Sequence, residues 1–403
     1  MPGTTPACIT PFKPWRHRMN ERADLVVIGG GLAGLSLAAR LARGGYRGRA
    51  VIIEPREEYV DDRSWAFWSP AEPALPVAPA RQWSHWQFSR YGAKPVTRSA
   101  KGWRYCYVRS SDLYRDALAL IAAQPNFKLV TGARAGTMEP HDDGVAVATS
   151  AGTFSTPFVI DTRPPAVARF SDSTMFQCFS GRELRLGQAG FDDRQVELMT
   201  DMRSDALGFV FSYVLPLSPT RALVEATRFS TRPLGRAQLS ADLDQMLVSR
   251  GWSDAEVLRT ETAVLPMGLP APDAAATTPG VVQAGMGAGA LRAASGFGFV
   301  RIQAWAERCA RELLQGRPPV GHPAEPKVRG WMDRVFLRAL ANNPERSPEF
   351  FLRLAASVSG ETFVRFMSDQ GGWRDHARII AALPPGPFLQ ALHGPSLRPG
   401  PST

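Results

Sequence analysis

Residues 26–35 read VVIGGGLAGL. Together with Asp24 and Leu25 the run DLVVIGG is apolar without alternation, which predicts a short strand buried on both faces. LAGLSLAARLAR follows as a small-residue helix and ends at Gly44-Gly45, a natural C-terminal stop. AVIIEP at 50–55 predicts a second buried strand. A β-α-β unit of about 30 residues is the dinucleotide-binding module. Gly29, Gly31 and Gly34 take the three glycine places of G-x-G-x-x-G, and Leu32 and Ala33 lie between the last two. Gly29 permits the tight turn and Gly31 lets the backbone approach a pyrophosphate at the positive end of the helix dipole. Gly34 lets helix and strand pack closely. Glu54, at the end of the second strand, has the position of the acid that accepts from a ribose hydroxyl and repels a 2′-phosphate. FAD and NAD satisfy this motif equally.

The chain has 403 residues, enough for two or more folding units. Residues 1–23 mix prolines with charges and lack the apolar stretch of a secretory signal, which suggests a loose tail. No run approaches the roughly 20 apolar residues that span a bilayer. Four scattered cysteines and six dispersed histidines give no metal-ligand spacing, so no metal is expected and reduced cytoplasmic thiols are the simpler reading. Net charge is +10, with arginine far ahead of lysine. That balance suits an anionic partner. Nucleic acid and an anionic membrane surface both qualify, and the spacings of nucleic-acid-binding motifs are missing.

Further along, GVAVATSAGTFSTPFVIDT (144–162) predicts short strands, and residues 207–230 predict two strands joined by a turn around 216–220. VVQAG at 281–285 predicts a buried strand that runs into a second glycine loop, Gly285-Met286-Gly287-Ala288-Gly289, and on past Gly296 to a helix over 301–316. A late strand–glycine loop–helix is the expected second half of an FAD site. Many flavoproteins place an Asp after the first such glycine. Here it is Met286, leaving the binding to backbone N–H groups.

Three other segments offer chemistry. Trp65, Phe67 and Trp68, inside DDRSWAFW, would either line a pocket for an extended apolar ligand or serve as core aromatics. Glu225, in the apolar strand LVEAT, would act as a buried acid if it faced a dry pocket, or point to solvent from an edge strand. Trp331, Met332, Val335, Phe336, Ala339 and Leu340 fall on one helical stripe, with Arg334 and Arg338 on another. Such a helix lies in a membrane interface or packs on a core.

In this order and spacing, VVIGGGLAGLSLAARL, DDRSWAFW, FVIDTRP, QCFSGREL, YVLPLSPTRALVEATRFS, LPMG (265–268), GAGALRAASGFGFVRIQAWA and FVRFMSD (363–369) resemble the flavoprotein lycopene cyclases, most of all the bacterial lycopene beta-cyclase group. The resemblance covers about 24–392. It implies an α/β fold: a Rossmann-type FAD-binding domain (24–170 and 280–320), an inserted mainly-β substrate domain (171–279) and a C-terminal helical segment (326–392) with a candidate membrane contact, between loose tails at 1–23 and 393–403. The implied activity is an isomerase (intramolecular lyase) reaction of carotenoid biosynthesis, in which the ψ-ends of lycopene or a related acyclic carotenoid close to β-ionone rings without net redox change. Reduced FAD, with NAD(P)H as electron donor, is the implied cofactor. Glu225 matches the first acid of the family's Leu-Glu-acidic-Thr pattern and is the implied proton donor. Trp65, Phe67, Trp68 and Phe297 would line the substrate pocket, and Gly29, Gly31, Leu32, Ala33, Gly34, Glu54, Gly285, Gly287, Gly289 and Gly296 would hold the cofactor. Peripheral attachment to the inner face of the membrane from the cytoplasm is implied as well. The chain departs from the family where Ala226 replaces a second acid, and where Ala293 and Phe297 replace Pro and Tyr. A FAD-dependent hydroxylase or reductase on an apolar isoprenoid or polyene, and a non-catalytic flavin or carotenoid binder, are the competing functions.

Overall fold

In the computed structural model the described residues are 19–71, 75–270 and 278–393. Strands β2 (Leu25–Ile28), β3 (Ala50–Ile53), β9 (Phe127–Val130), β13 (Val159–Asp161) and β19 (Val281–Gln283) form a parallel sheet of order β19-β13-β2-β3-β9. Every residue of β2 and β3 is buried, as their unbroken apolar runs require. Leu25, Val27 and Ile52 face the layer holding α1 (Leu32–Arg43), α2 (Ser110–Ala122) and α4 (Phe299–Leu314). Val26, Ile28, Val51 and Ile53 face the other way and meet Val145, Val147 and Phe154. Those three belong to a four-stranded sheet of order β1-β12-β11-β10, made of Met19–Arg22, Gly152–Thr156, Gly144–Thr149 and Ala135–His141. Within the expected tail, then, Met19–Arg22 is a strand running parallel to β12, and residues 1–18 lie outside the described residues, as do 394–403 of the C-terminal tail.

The larger sheet has seven strands in the order β18-β14-β17-β16-β15-β6-β7, namely Glu256–Met267, Met175–Arg185, Arg221–Ser230, Gly208–Ser218, Gln195–Asp205, His85–Arg90 and Val96–Ser99. Its pairs are antiparallel except β15–β6. Strands β6 and β7 fall within the 24–170 span assigned to the nucleotide-binding part, yet they hydrogen-bond into this sheet. The alternating Trp86 and Phe88 are buried in the core it shares with the C-terminal helices. A small sheet, β4 (Ser64–Pro70), β8 (Trp103–Arg109) and β5 (Arg81–Trp83), lies in the order β4-β8-β5.

The two faces of the large sheet have different covers. Val224 and Ala226 of β17 pack with Leu243, Met246 and Leu247 of α3 (Arg236–Arg250). Leu223 and Phe229 project to the opposite face, toward α5 (Lys327–Asn342), α6 (Ser347–Ser357), α7 (Gly360–Met367), α8 (Trp373–Ala382) and α9 (Pro385–His393). Side chains on a strand alternate, so Glu225 must share the face of Leu223 and Phe229. In α5, Met332, Val335, Ala339 and Leu340 are buried in that core. Packing therefore claims most of the stripe that could have faced a membrane, and Trp331, 44% exposed, is its outlying member.

Candidate active site

The turn after β2 has the geometry its glycines imply. Gly29 has φ +97°, and a Cβ at Gly34 would overlap the Gly29 carbonyl oxygen. A Cβ at Gly31 would meet nothing within 4 Å, so this glycine borders open space. Gly31 caps α1 without a side-chain hydrogen bond, and the first turn, opening with Leu32 and Ala33, carries no acid. That leaves N–H groups and the positive end of the helix dipole for an anion. The second loop meets the first: Gly285 (φ +77°) stands with its Cβ position 3.5 Å from the Cβ of Ala33, and Thr162 is close to both Gly29 and Gly285. Gly287 packs on the backbone of residues 163–165, and Gly289 and Gly296 also have positive φ. His322 Nε2 accepts from the Gly285 N–H at 3.0 Å, and burial holds that imidazole down to about 4, in the neutral form such a bond needs. Glu54 is buried, with Oε2 accepting from the Gly30 N–H at 2.6 Å and Oε1 from the Arg56 N–H at 2.9 Å. A carboxylate has lone pairs beyond these two.

Between the large sheet, β4 and the C-terminal helices lies a cavity of about 580 Å³. Leu198, Phe211, Leu223, Phe229 and Phe363 give it apolar walls. Trp65, Trp68, Phe297 and Gly296 line it, and Trp68 meets Phe297 edge-on with ring centres 5.5 Å apart. Phe67 does not line it: the ring turns the other way and stacks on Phe299 at 4.4 Å. The loop at 292–297 is tied down by Arg292, fully buried, which pairs with Asp333 of α5 at 3.2 Å and lies 4.2 Å over the Phe366 ring of α7. Gln177 Oε1, at the cavity wall and 2.8 Å from the Cβ position of Gly296, is buried with no partner among the described residues. An unpaired buried acceptor beside a glycine loop fits a ligand that brings an N–H donor.

Glu225 is 7% exposed and faces this cavity. Its strand neighbours form a row. Gly181 of β14 stands opposite Glu225 on one side and Glu261 of β18 on the other, and Tyr213 of β16 stands opposite Glu225 on its far side. Since Gly181 has no side chain, the two carboxyls meet above it and hydrogen-bond. Burial first, then the charge of Glu261 and the hydrogen bond to it, raise the Glu225 carboxyl well above the usual range. Glu261 is tied to the Arg259 Nη1 at 2.8 Å and accepts from the Ser64 hydroxyl at 3.0 Å. Arg259 bonds in turn to Glu183 at 2.9 Å and to the Tyr107 hydroxyl at 2.8 Å. Tyr213 and Tyr105 join hydroxyls at 2.8 Å, and burial raises both phenols, keeping them neutral. Glu261, Tyr213 and Ser64 were not among the residues singled out by sequence. Nothing in RTETAV marks its acid, and the strand register brings Glu261 to Glu225.

Comparison with known proteins gives this arrangement a context. Residues 24–393 match the family described as Lycopene cyclase protein. The chain belongs to the lycopene cyclase family. It is 27% identical over 385 residues to a lycopene beta-cyclase of Pseudescherichia vulneris, covering 91% of this chain and 96% of that one. It is 31% identical over 201 residues to a lycopene beta-cyclase of a Paracoccus strain, covering 46% and 50%. In fold it is similar to a geranylgeranyl bacteriochlorophyll reductase-like protein of Thermoplasma acidophilum, with TM-score 0.59 and 14% identity over 92% of this chain and 99% of that one. It is also similar to an anhydrotetracycline hydroxylase of Streptomyces rimosus, with TM-score 0.54 and 16% identity over 86% and 76%. For this lycopene cyclase family member, the segments quoted for the resemblance meet in space. DDRSWAFW supplies Ser64, Trp65 and Trp68, ALVEATRF supplies Glu225, and Arg292 and FVRFMSD lock the loop that carries Phe297.

Proposed function

We propose that this chain is a lycopene beta-cyclase, closing the ψ-ends of lycopene or a related acyclic carotenoid to β-ionone rings by acid-initiated carbocation chemistry. The observation that carries this reading is a carboxyl, Glu225, buried in the apolar cavity of a lycopene cyclase family chain, where burial and the neighbouring Glu261 raise it well above the usual range. Protonating an olefin demands an acid held against a hydrocarbon and kept from water. Glu225 gives its proton to the terminal double bond, the neighbouring double bond closes on the cation, and loss of a proton beside the new cationic centre leaves the ring double bond. Trp65, Trp68 and Phe297 offer π faces to the passing positive charge.

FAD fits the two converging glycine loops: Gly29, Gly31, Leu32, Ala33 and Gly34 for the pyrophosphate, Gly285, Gly287, Gly289 and Gly296 along the second loop, and Glu54 for the ribose. When bound and reduced by a donor such as NAD(P)H, it supplies an electron-rich counter-charge to the cation. Attachment to the inner face of the membrane, where the polyene dissolves, belongs to the same reading. Among the described residues no helix is long and apolar enough to cross a membrane. Trp331, Ile380 and Leu392 are exposed and line the cavity, and on α8 the exposed Trp373, Arg374 and Arg378 accompany Ile380. An exposed apolar lining with arginines nearby on the same helix suits entry of a substrate from anionic lipid.

Expression in a lycopene-accumulating bacterium followed by pigment chromatography tests the reading. Conversion to monocyclic or bicyclic β-ring products at unchanged mass is expected. Products carrying added oxygen would make the chain a hydroxylase, and unchanged lycopene retained on the protein would make it a carrier.

A further inference from the structure

Resting on the cyclase reading, we propose that Glu261 is a positioning residue for the acid: it holds the negative charge while Glu225 holds the proton, the two carboxyls meeting through the gap left by Gly181. Three adjacent strands create this pair, with Glu261, Gly181 and Glu225 level with one another on β18, β14 and β17. Any side chain at the middle position would separate them, since a Cβ there would lie 2.7 Å from the Cγ of Glu225 and 3.4 Å from that of Glu261.

The surroundings of the two acids differ. Glu261 receives the Arg259 guanidinium and the Ser64 hydroxyl, both of which favour a charged carboxylate. Arg259 is itself fixed by Glu183 and Asp61, a fully buried and a part-exposed acid. Arg259 alone acts on Glu225 in the sense that favours its charged form, and that effect is smaller than burial and the influence of Glu261. The other groups facing Glu225 are Tyr213 of β16 and, behind it, Tyr105 of β8, both neutral. Across the cavity, Arg292 and Asp333 neutralise each other. Within the pair, charge therefore belongs on Glu261 and the proton on Glu225.

This division matches a reaction that takes one proton and returns one per ring. The Glu225 O–H bond breaks as its proton bonds to the terminal alkene carbon, whose π pair makes the new C–H bond and leaves a cation. The neighbouring π pair then makes the ring C–C bond. Finally a ring C–H bond releases its proton, and its electron pair becomes the ring double bond. Between the first and last events both carboxylates are charged and adjacent. Like-charge repulsion then favours return of a proton to the pair, with no oxidant or reductant consumed.

The test is the rate of ring formation against pH for wild type, Glu261→Gln, Gly181→Ala and Glu225→Gln, using lycopene in phosphatidylcholine vesicles with FAD kept reduced by excess dithionite. Removing the charge of Glu261 lowers the pH at which Glu225 ionises. The alkaline limb of Glu261→Gln should therefore move toward acid by on the order of one pH unit or more. Gly181→Ala, which wedges the pair apart, should move it in the same sense, and Glu225→Gln should be inactive throughout. Active wild type with an unmoved limb in Glu261→Gln would overturn the pairing and leave the cyclase reading intact. A folded Glu261→Gln protein, by melting temperature and flavin absorbance, that is inactive at every pH would overturn it too, by making Glu261 itself the acid. If Glu261→Gln does not fold, the limb of Gly181→Ala decides, a shift supporting the pairing and no shift overturning it. A wild-type protein that closes no ring would overturn the cyclase reading and the pairing together.

Discussion

Glu225 illustrates how a buried carboxyl works against the stability of its own fold. Its folded-state pKa is raised above the unfolded value, so the native chain keeps a proton that the unfolded chain releases as pH climbs. The penalty on the native state grows from about pH 4.3, the unperturbed value, up to the raised one and is present in full above it. Glu225→Gln removes that penalty. Urea melts across pH should show the variant gaining on wild type by up to about 1.4 kcal/mol per pH unit in this window, while ring formation falls by roughly 100-fold or more. A stability margin flat with pH would mean that Glu225 is charged in the native state. The strand pattern alone left Glu225 either in a dry pocket or in solvent, and the resemblance pointed to it as the acid; the fold buries it on the face it shares with Leu223 and Phe229. Glu261 was not legible, since it sits in a polar run, RTET, and its partner is defined by pairing across β14. Phe67 was assigned with its neighbours because three aromatics in four residues look alike in sequence. Its ring stacks on Phe299 instead.

At the scale of elements, the first glycine loop and the 292–297 loop make different demands. Gly31 borders open space at negative φ, whereas Gly34 leaves no room against the β2 turn. Gly31→Val should therefore fold with a stability within about 0.5 kcal/mol of wild type but bind little flavin, as read from absorbance after FAD titration. Gly34→Val should fail to fold. Equal flavin content in Gly31→Val and wild type would move the cofactor away from this turn. In the second loop, Arg292→Met strands Asp333 without its partner and should cost about 3–5 kcal/mol in urea melts, much of which Asp333→Leu added to it should restore. The β2–α1–β3 unit could be read directly because its periodicities are local. β6 and β7 could not, because they complete a sheet whose neighbouring strand, β15, lies a hundred residues away in sequence.

Across the whole molecule, exposed apolar side chains of the C-terminal helices, among them Trp331, Ile380 and Leu392, line the cavity. Trp373 is 75% exposed and Ile380 51%, with Arg374 and Arg378 beside them on α8. Inserting one large side chain into lipid is worth about 1.5–3 kcal/mol, so Trp373→Ser should weaken binding to anionic vesicles by roughly tenfold or more in cosedimentation. Unchanged binding would remove α8 from the membrane face. Amphipathicity in α5 could not distinguish a core from a bilayer in the sequence, and in the fold the core claims most of that helix's apolar stripe. The most direct measurement of the chemistry is mass spectrometry of the pigment formed from lycopene in D₂O by wild-type protein with reduced FAD. Acid-initiated closure takes one proton from the enzyme and expels one from the substrate, so each ring should carry one deuterium and no oxygen. Cyclic product without deuterium, or any product with added oxygen, would contradict protonation by a solvent-exchanging carboxyl as the step that begins the reaction.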